Sequence, residues 1–220
     1  MKDLEEKLLA LAVEKAGIFG RTPSTYPELF ELLDWKEGLV ALGDRLLEKG
    51  KEEVDLGGVV IYAKEAYERS ELRPKEGLTK IRDFYAEKAL LDPYLETLEK
   101  LGEEPDKEVL KKMAEKMLED GYDLGMVRTA KLAGDRDLLK RVGDYLLDRY
   151  IRLRMGDSEE IFEVYEAIGD KEGLLEIGSY LYRCRRDDFS KKLARRAFAA
   201  GGSDRMVKKI ESESPELFKG

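Results

Sequence analysis

The sequence predicts an all-α protein, a right-handed α-α superhelix (solenoid) of about five helix pairs with an N-terminal cap helix. Three observations lead to this fold class. Nearly all of the chain has the apolar spacing of amphipathic helices. One helix outline recurs, at intervals of 71, 29 and 35 residues. Short links with helix-stopping and helix-starting residues separate the helices, so that consecutive helices become antiparallel neighbours.

The first predicted element is an amphipathic helix over residues 2–16. It would cover the N-terminal end of the array with a polar outer face, as terminal units of a solenoid require. The segment 17–27, "GIFGRTPSTYP", lacks helical signals and carries three hydroxyl side chains. Two interpretations stay open for it, a linker and a functional loop. Residues 1–34 together form the predicted N-terminal domain.

The recurring outline marks the first helix of each pair. An apolar residue is followed by others three and seven positions later, and a small residue directly follows the second one. The four copies are Leu39-Leu42-Gly43-Leu46, Leu110-Met113-Ala114-Met117, Leu139-Val142-Gly143-Leu146 and Leu174-Ile177-Gly178-Leu181. A glycine inside a helix costs about 1 kcal/mol relative to alanine. Because three copies accept this cost, we expect the small residue to lie against the adjoining helix.

The remaining helices fill the spaces between these copies. A degenerate first helix is expected near residues 75–90, where Arg82 replaces the small residue. Second helices are expected at roughly 54–70, 87–101, 122–133, 158–168 and 188–200. The helix-pair array therefore spans residues 35–202, and a C-terminal helix and tail occupy 203–220. The charged segment 211–220, "ESESPELFKG", is expected to be frayed.

These repeated residues resemble the tetratricopeptide repeat family. In its first helix the family has Trp or Leu, then Leu-Gly, then Tyr, and the outline from Leu39 to Leu46 is similar. Ala194 with Phe198, and Ala63 with Tyr67, resemble the alanine and aromatic residue of the family's second helix. The resemblance covers roughly residues 35–202. The repeat length varies, and most copies lack the closing proline.

The resemblance implies a concave groove lined by first helices. In the family, the positions one and five residues after the small residue commonly point into this groove; we call them the +1 and +5 positions. Three copies have acidic residues at both: Asp44, Glu48, Glu115, Glu119, Asp144 and Asp148. The family's peptide-carboxylate clamp needs asparagine, which the sequence lacks. We therefore expect the groove to bind a basic protein segment or surface. The alternative is ordinary solvated acid.

A second charged region lies near the C-terminus. Between residues 178 and 210 there are ten Lys or Arg against three Asp, in a chain of net charge −8. The members at the predicted basic end are Arg183, Arg185, Arg186, Lys191, Lys192, Arg195 and Arg196. Such clustering is typical of surfaces that bind negatively charged partners, including RNA. A solvated helix face is the alternative.

The composition argues against catalysis. The sequence contains no His, Asn or Gln, so the usual general base near neutral pH is missing. Cys184 is the only cysteine, which excludes an internal disulfide and a cysteine-based zinc site. We expect no enzyme activity and no cofactor or metal. Missing amides together with abundant Lys and Glu are a thermophile tendency, with a designed sequence as the alternative.

The leading functional prediction is a non-enzymatic scaffold that binds a protein partner. The alternative is RNA or ribonucleoprotein binding through the basic C-terminal end. A third possibility is a homo-oligomer in which the basic end of one copy meets the acidic groove of the next. No apolar run reaches the length of a membrane span, and the N-terminus lacks the pattern of a signal peptide. A cytoplasmic location without membrane binding is therefore expected.

Overall fold

The computed structural model describes residues 2–15, 27, 30, 32–52, 57–72, 74–122, 125–153, 157–185 and 187–218. Within these residues the backbone forms twelve α-helices and one 3₁₀ helix, and no β-strand. The α-helices are α1 (Lys2–Lys15), α2 (Lys36–Glu52), α3 (Gly57–Ser70), α4 (Pro74–Glu87), α5 (Leu91–Leu101), α6 (Lys107–Asp120), α7 (Met126–Ala133), α8 (Arg136–Leu153), α9 (Ser158–Ile168), α10 (Lys171–Cys184), α11 (Asp188–Ala200) and α12 (Asp204–Glu213). The 3₁₀ helix covers Pro215–Leu217. The predicted all-α class is confirmed.

The helices belong to two compact units. Unit 1 is Met1–Pro105 and contains α1 to α5, whereas unit 2 is Asp106–Gly220 and contains α6 to α12. The right-handed superhelical sense and the boundaries at 34/35 and 202/203 stay predictions.

Each unit is built from neighbouring helix pairs. In unit 1, every helix from α1 to α5 packs on the next one, and the first helices α2 and α4 also touch. In unit 2, α6 to α12 likewise pack in chain order, α8 touches both α6 and α10, and α9 touches α11. The five first helices begin at residues 36, 74, 107, 136 and 171. The predicted helical repeat is therefore present, including the degenerate copy near residues 75–90.

The small residues of the recurring outline lie where the sequence places them. A Cβ added to Gly43 would lie 2.7 Å from the Tyr67 ring of α3, and one on Gly143 would lie 3.0 Å from Val164 of α9. A Cβ on Gly178 would lie 3.3 Å from Ala197 of α11. Ala114 is fully buried in α6. The close packing expected at these positions is confirmed.

Glycine and aspartate punctuate the links of unit 2. Gly134 and Gly169 end α7 and α9 with φ values of 70° and 66°, which glycine adopts without a Cβ clash. The aspartate that follows Gly169 begins the next helix, since the Asp170 carboxylate accepts the backbone N–H groups of Glu172 and Gly173. These signals explain why the predicted links agree with the observed ones.

The cap helix α1 packs on α2 and buries Leu9 and Ala12. Its outer face is less polar than expected, because Leu4 is 62% exposed and Leu11 is 43% exposed. Nearly all of the segment 17–27 lies outside the described residues, so both interpretations of it stay open. Among the described helices, none has the length and apolarity that crossing a bilayer would take.

The C-terminal tail differs from the prediction. Helix α12 continues to Glu213, and the 3₁₀ helix follows at once. Ser214 is buried, and its hydroxyl accepts a hydrogen bond from the Lys191 ammonium at 3.0 Å. The expectation of a frayed segment from residue 211 is therefore wrong for residues 211–218. Contacts with α11 hold this segment, and helical periodicity does not reveal contacts between residues so far apart in sequence.

Candidate interaction surfaces

A buried tyrosine ties together three helices of unit 1. The Tyr67 ring of α3 lies between two glycines, because a Cβ on Gly43 of α2 or on Gly77 of α4 would come within 2.7 Å of Tyr67. The Tyr67 hydroxyl donates to Asp44 Oδ1 at 2.5 Å, and the Lys80 ammonium donates to the same oxygen at 2.6 Å. Burial, and then the bond to Asp44, raise the pKa of Tyr67.

Unit 2 contains the same arrangement. The Tyr165 ring of α9 lies between Gly143 of α8 and Gly173 of α10, with added Cβ atoms 3.1 Å and 2.4 Å from ring atoms. The Tyr165 hydroxyl donates to Asp144 Oδ1 at 3.0 Å, and Lys140 donates to that oxygen at 3.3 Å. The predicted groove residues at the +1 position, Asp44 and Asp144, therefore also bind buried tyrosines. Their carboxylates remain 44% and 53% exposed.

The acidic surface of unit 1 extends over both of its first helices. On α2, Glu48 is 72% exposed and accepts a bond from Lys51 at 2.9 Å. The same Lys51 ammonium lies 3.7 Å from Glu87 of α4. Glu87 and Asp83 occupy the +5 and +1 positions after Arg82, and more than half of each side chain is exposed. We call Asp44, Glu48, Asp83 and Glu87 the unit 1 acidic surface.

The acidic residues on α4 are absent from the sequence prediction. That prediction took groove acids only from the copies that have a small residue, and α4 has Arg82 in its place. A different signal marks its register: "KEGL" begins at Lys36, Lys75 and Lys171, in each case with the glycine two residues after the lysine. Aligning these three copies places Arg82 at the small position, with Asp83 directly after it.

The acidic surface of unit 2 consists of Glu115, Glu119, Asp144 and Asp148. Glu115 of α6 accepts a hydrogen bond from Arg141 of α8 at 3.2 Å, which shows that the two helices place these side chains next to each other. Asp148 pairs with Arg152 at 2.6 Å, and Glu119 is exposed. Both acidic surfaces are thus interleaved with bases, and each acid row is less uniform than the sequence alone indicates.

Three of the seven residues of the predicted basic end pair with groups within unit 2. Arg195 of α11 pairs with Glu211 of α12 at 2.5 Å, and its guanidinium carbon lies 5.3 Å from the centre of the Phe218 ring. Lys191 bonds to Ser214, as described above. Arg196 pairs with Glu159 of α9 at 3.0 Å. The charge excess between residues 178 and 210 is therefore offset by the segment that follows it and by α9.

The other predicted cations differ in their surroundings. The Arg185 guanidinium lies over the Tyr150 ring at 5.7 Å, whereas Arg183 and Lys192 are exposed. Arg186 lies outside the described residues. Two further exposed cations, Arg205 and Lys208, lie on α12. No ion pair within the described part of the chain involves Arg183, Lys192, Arg205 or Lys208. We extend the basic end by Arg205 and Lys208 and call these four residues its free part.

Comparisons with known proteins add little to this geometry. The chain matches no protein-family model, and no curated protein sequence matches it. A solved structure titled "DHF58 filament" is similar over 98% of this chain and 94% of that chain, at 18% sequence identity and a TM-score of 0.22. What the coordinates establish is an all-α chain of helices packed in neighbouring pairs.

Proposed function

We propose that the protein is a non-enzymatic interaction scaffold of the tetratricopeptide-like helical-repeat type. Its first helices bind a basic segment or surface of a protein partner through the unit 1 and unit 2 acidic surfaces. No cofactor takes part in this proposal. The observation that carries it is the recurrence of acid at the same two positions, +1 and +5, on four first helices, with side chains that remain accessible.

The ion pairs already present on these surfaces are compatible with partner binding. Lys51, Lys80, Arg141 and Arg152 hold the acids in exposed pairs. Such pairs contribute only about 0.2–1 kcal/mol each, so a partner lysine or arginine can replace the internal base at small cost. Arginine that forms two parallel bonds to one carboxylate would gain more than lysine. The proposal therefore favours an arginine-containing basic segment.

Charge reversal on each surface tests the proposal. Glu48→Lys with Glu87→Lys changes unit 1, and Glu119→Lys with Asp148→Lys changes unit 2. All four acids lie at the +5 position and accept no hydrogen bond from a buried tyrosine, so the fold should survive. A fluorescein-labelled peptide of alternating arginine and glycine serves as probe, and its anisotropy reports binding. We expect weaker binding for both variants.

Matched controls carry the same change in net charge. Glu99→Lys with Glu104→Lys places two reversals around the end of α5, and Glu163→Lys with Glu166→Lys places them on α9. These second-helix variants should bind the peptide like the parent protein, apart from a general salt-dependent decrease. Equal loss in the control and surface variants at 0.15 M salt would mean that net charge alone attracts the peptide, contrary to the proposal.

A second candidate function, RNA binding, rests on the free part of the basic end. Single-stranded RNA would release counterions on contact with Arg183, Lys192, Arg205 and Lys208, giving a log–log salt slope of about −0.7 per phosphate. Titration with a labelled oligouridylate, compared between the parent and a Lys192→Glu, Lys208→Glu variant, tests this candidate. Unchanged affinity in that variant would reject it. Sedimentation of the chain alone tests self-association.

A further inference from the structure

One cleft in unit 2 contains an unsatisfied buried hydroxyl. The cleft has a volume of about 410 Å³ and lies beside the N-terminal ends of α9 and α11. Its lining residues are Tyr150, Asp157, Ser158, Arg185, Asp187, Phe189 and Ser190. It shares no residue with the acidic surfaces and only Arg185 with the predicted basic end. Its test is therefore independent of the tests above.

Ser158 is exceptional among the buried polar side chains of the described residues. There are six of them, and Ser70, Thr97, Thr129, Ser190 and Ser214 each take part in a hydrogen bond through the hydroxyl. Ser158 is only 7% exposed, and its hydroxyl has no hydrogen-bond partner among the described residues. A buried polar group left without a partner destabilises the folded state, so a bound molecule that pairs with this hydroxyl would remove the penalty.

Two other groups in the cleft have unused hydrogen-bonding capacity. The Arg185 guanidinium stacks on Tyr150 and donates no hydrogen bond to any described residue. Asp157 uses one carboxylate oxygen to accept the backbone N–H of Glu159 at 2.8 Å, which leaves the second oxygen available. Asp187, in contrast, is occupied, since both of its oxygens accept hydrogen bonds from Ser190. Those bonds lower the pKa of Asp187 and keep it ionised.

These unused groups define what fits the cleft. Arg185 offers donors, Asp157 offers an acceptor, and the Ser158 hydroxyl can act as either. One arginine faces two aspartates, and the first turns of α9 and α11 add partial positive charge, so the lining is close to neutral overall. A full anion would meet two carboxylates, and a full cation would meet Arg185. An uncharged amide has both a carbonyl acceptor and N–H donors, and it matches all three groups.

We propose that this cleft binds a main-chain amide of an extended peptide segment. The peptide carbonyl accepts from Arg185 or Ser158, and its N–H donates to Asp157. The adjacent peptide side chain packs on Phe189, whose ring is 53% exposed at the rim of the cleft. The cleft would thereby give the chain a contact for polypeptide that depends on hydrogen bonding rather than net charge.

The test uses the full chain and N-acetylphenylalaninamide as probe, followed by backbone-amide NMR. We expect saturable shifts at Ser158, Phe189 and Ser190, with a dissociation constant of about a millimolar for a ligand of this size. Sodium phosphate, which supplies an anion, and methylammonium chloride, which supplies a cation, should not change the chemical shifts of those three amides at equal concentration and constant ionic strength. Absence of the amide-induced shifts, or the same shifts with either ion, would overturn the proposal.

Two variants make the test specific. Ser158→Ala should raise the dissociation constant about fivefold, because one hydrogen bond is lost. Ser179→Ala is the matched control, since the Ser179 hydroxyl already donates to the Leu175 carbonyl at 2.7 Å, and it should leave the constant unchanged. Because an unpartnered buried hydroxyl is destabilising, the melting temperature of Ser158→Ala should equal or exceed that of the parent. A lowered melting temperature with undiminished probe binding would show that the hydroxyl holds an internal water, and would refute the inference.

Discussion

The glycine opposite Tyr67 provides a sharp test of the packing. A Gly43→Ala methyl would lie 2.7 Å, 2.8 Å and 3.0 Å from three atoms of the ring. The ring cannot move away freely, because Gly77 supports it from α4 and Asp44 holds its hydroxyl. Overpacking of this kind costs about 1–3 kcal/mol, whereas alanine gains about 1 kcal/mol of helix propensity over glycine. We therefore expect Gly43→Ala to lower the free energy of unfolding by up to about 2 kcal/mol.

Gly178→Ala is the matched comparison. Its methyl would meet its nearest neighbours at 3.3–3.4 Å, which asks for a shift of only a few tenths of an ångström. The propensity gain should then prevail, and this variant should be as stable as the parent or up to about 1 kcal/mol more stable. Urea unfolding followed by circular dichroism measures both, with separate transitions fitted for the two units if they are resolved.

A double-mutant cycle shows whether the destabilisation by Gly43→Ala comes from contact with Tyr67. In a Tyr67→Ala background the ring is gone, so adding Gly43→Ala should no longer destabilise the protein. If the Gly43→Ala cost persists without the ring, or if Gly43→Ala is at least as stable as the parent, contact with Tyr67 is not what requires glycine at this position.

Three further predictions concern the core, the alkaline stability and the C-terminal helix. Leu181 is fully buried, so Leu181→Ala should lower the free energy of unfolding by about 2–5 kcal/mol, measured in urea; a loss below about 1 kcal/mol would contradict its position in the core. Because the pKa of Tyr67 is raised in the folded state, the unfolded state loses this proton first, and stability should fall as pH rises above about 10. That alkaline loss should be smaller in Tyr67→Phe, as chemical denaturation at pH 9 and pH 11 would show. Ile210 is the one fully buried side chain of α12, so Ile210→Ala should speed hydrogen exchange in 204–213 selectively; equal acceleration in α10 would count against local opening.

The sequence was sufficient for the helices because each first helix carries its own apolar stripe and small residue. It also located the second helices to within a few residues, since glycine and aspartate end and begin helices through local backbone bonding. Thermophile origin, cytoplasmic location, absence of enzyme activity and the choice of partner stay predictions.

Contacts between distant residues could not be predicted in this way. The Tyr67–Asp44 bond joins residues 23 apart, and the equivalent Tyr165–Asp144 bond joins residues 21 apart. Helical periodicity does not predict such pairs, because their spacing in the sequence depends on the length of the link between two helices. The pairing of Arg195 with Glu211 likewise joins residues on two different helices. It explains why fewer cations of the basic end are unpaired in the fold than the sequence indicates.

The two tyrosine–glycine contacts limit how the array can be divided. Tyr67 belongs to the second helix of one pair, yet Gly77, which supports its ring, belongs to the first helix of the next pair. A helix pair excised as α2 and α3 would lose the contact between this ring and α4. The following pair would keep Gly77 without the tyrosine that requires a glycine there. The smallest segment that could be transplanted into another helical array with this tyrosine contact complete is therefore three helices, α2 to α4 or α8 to α10.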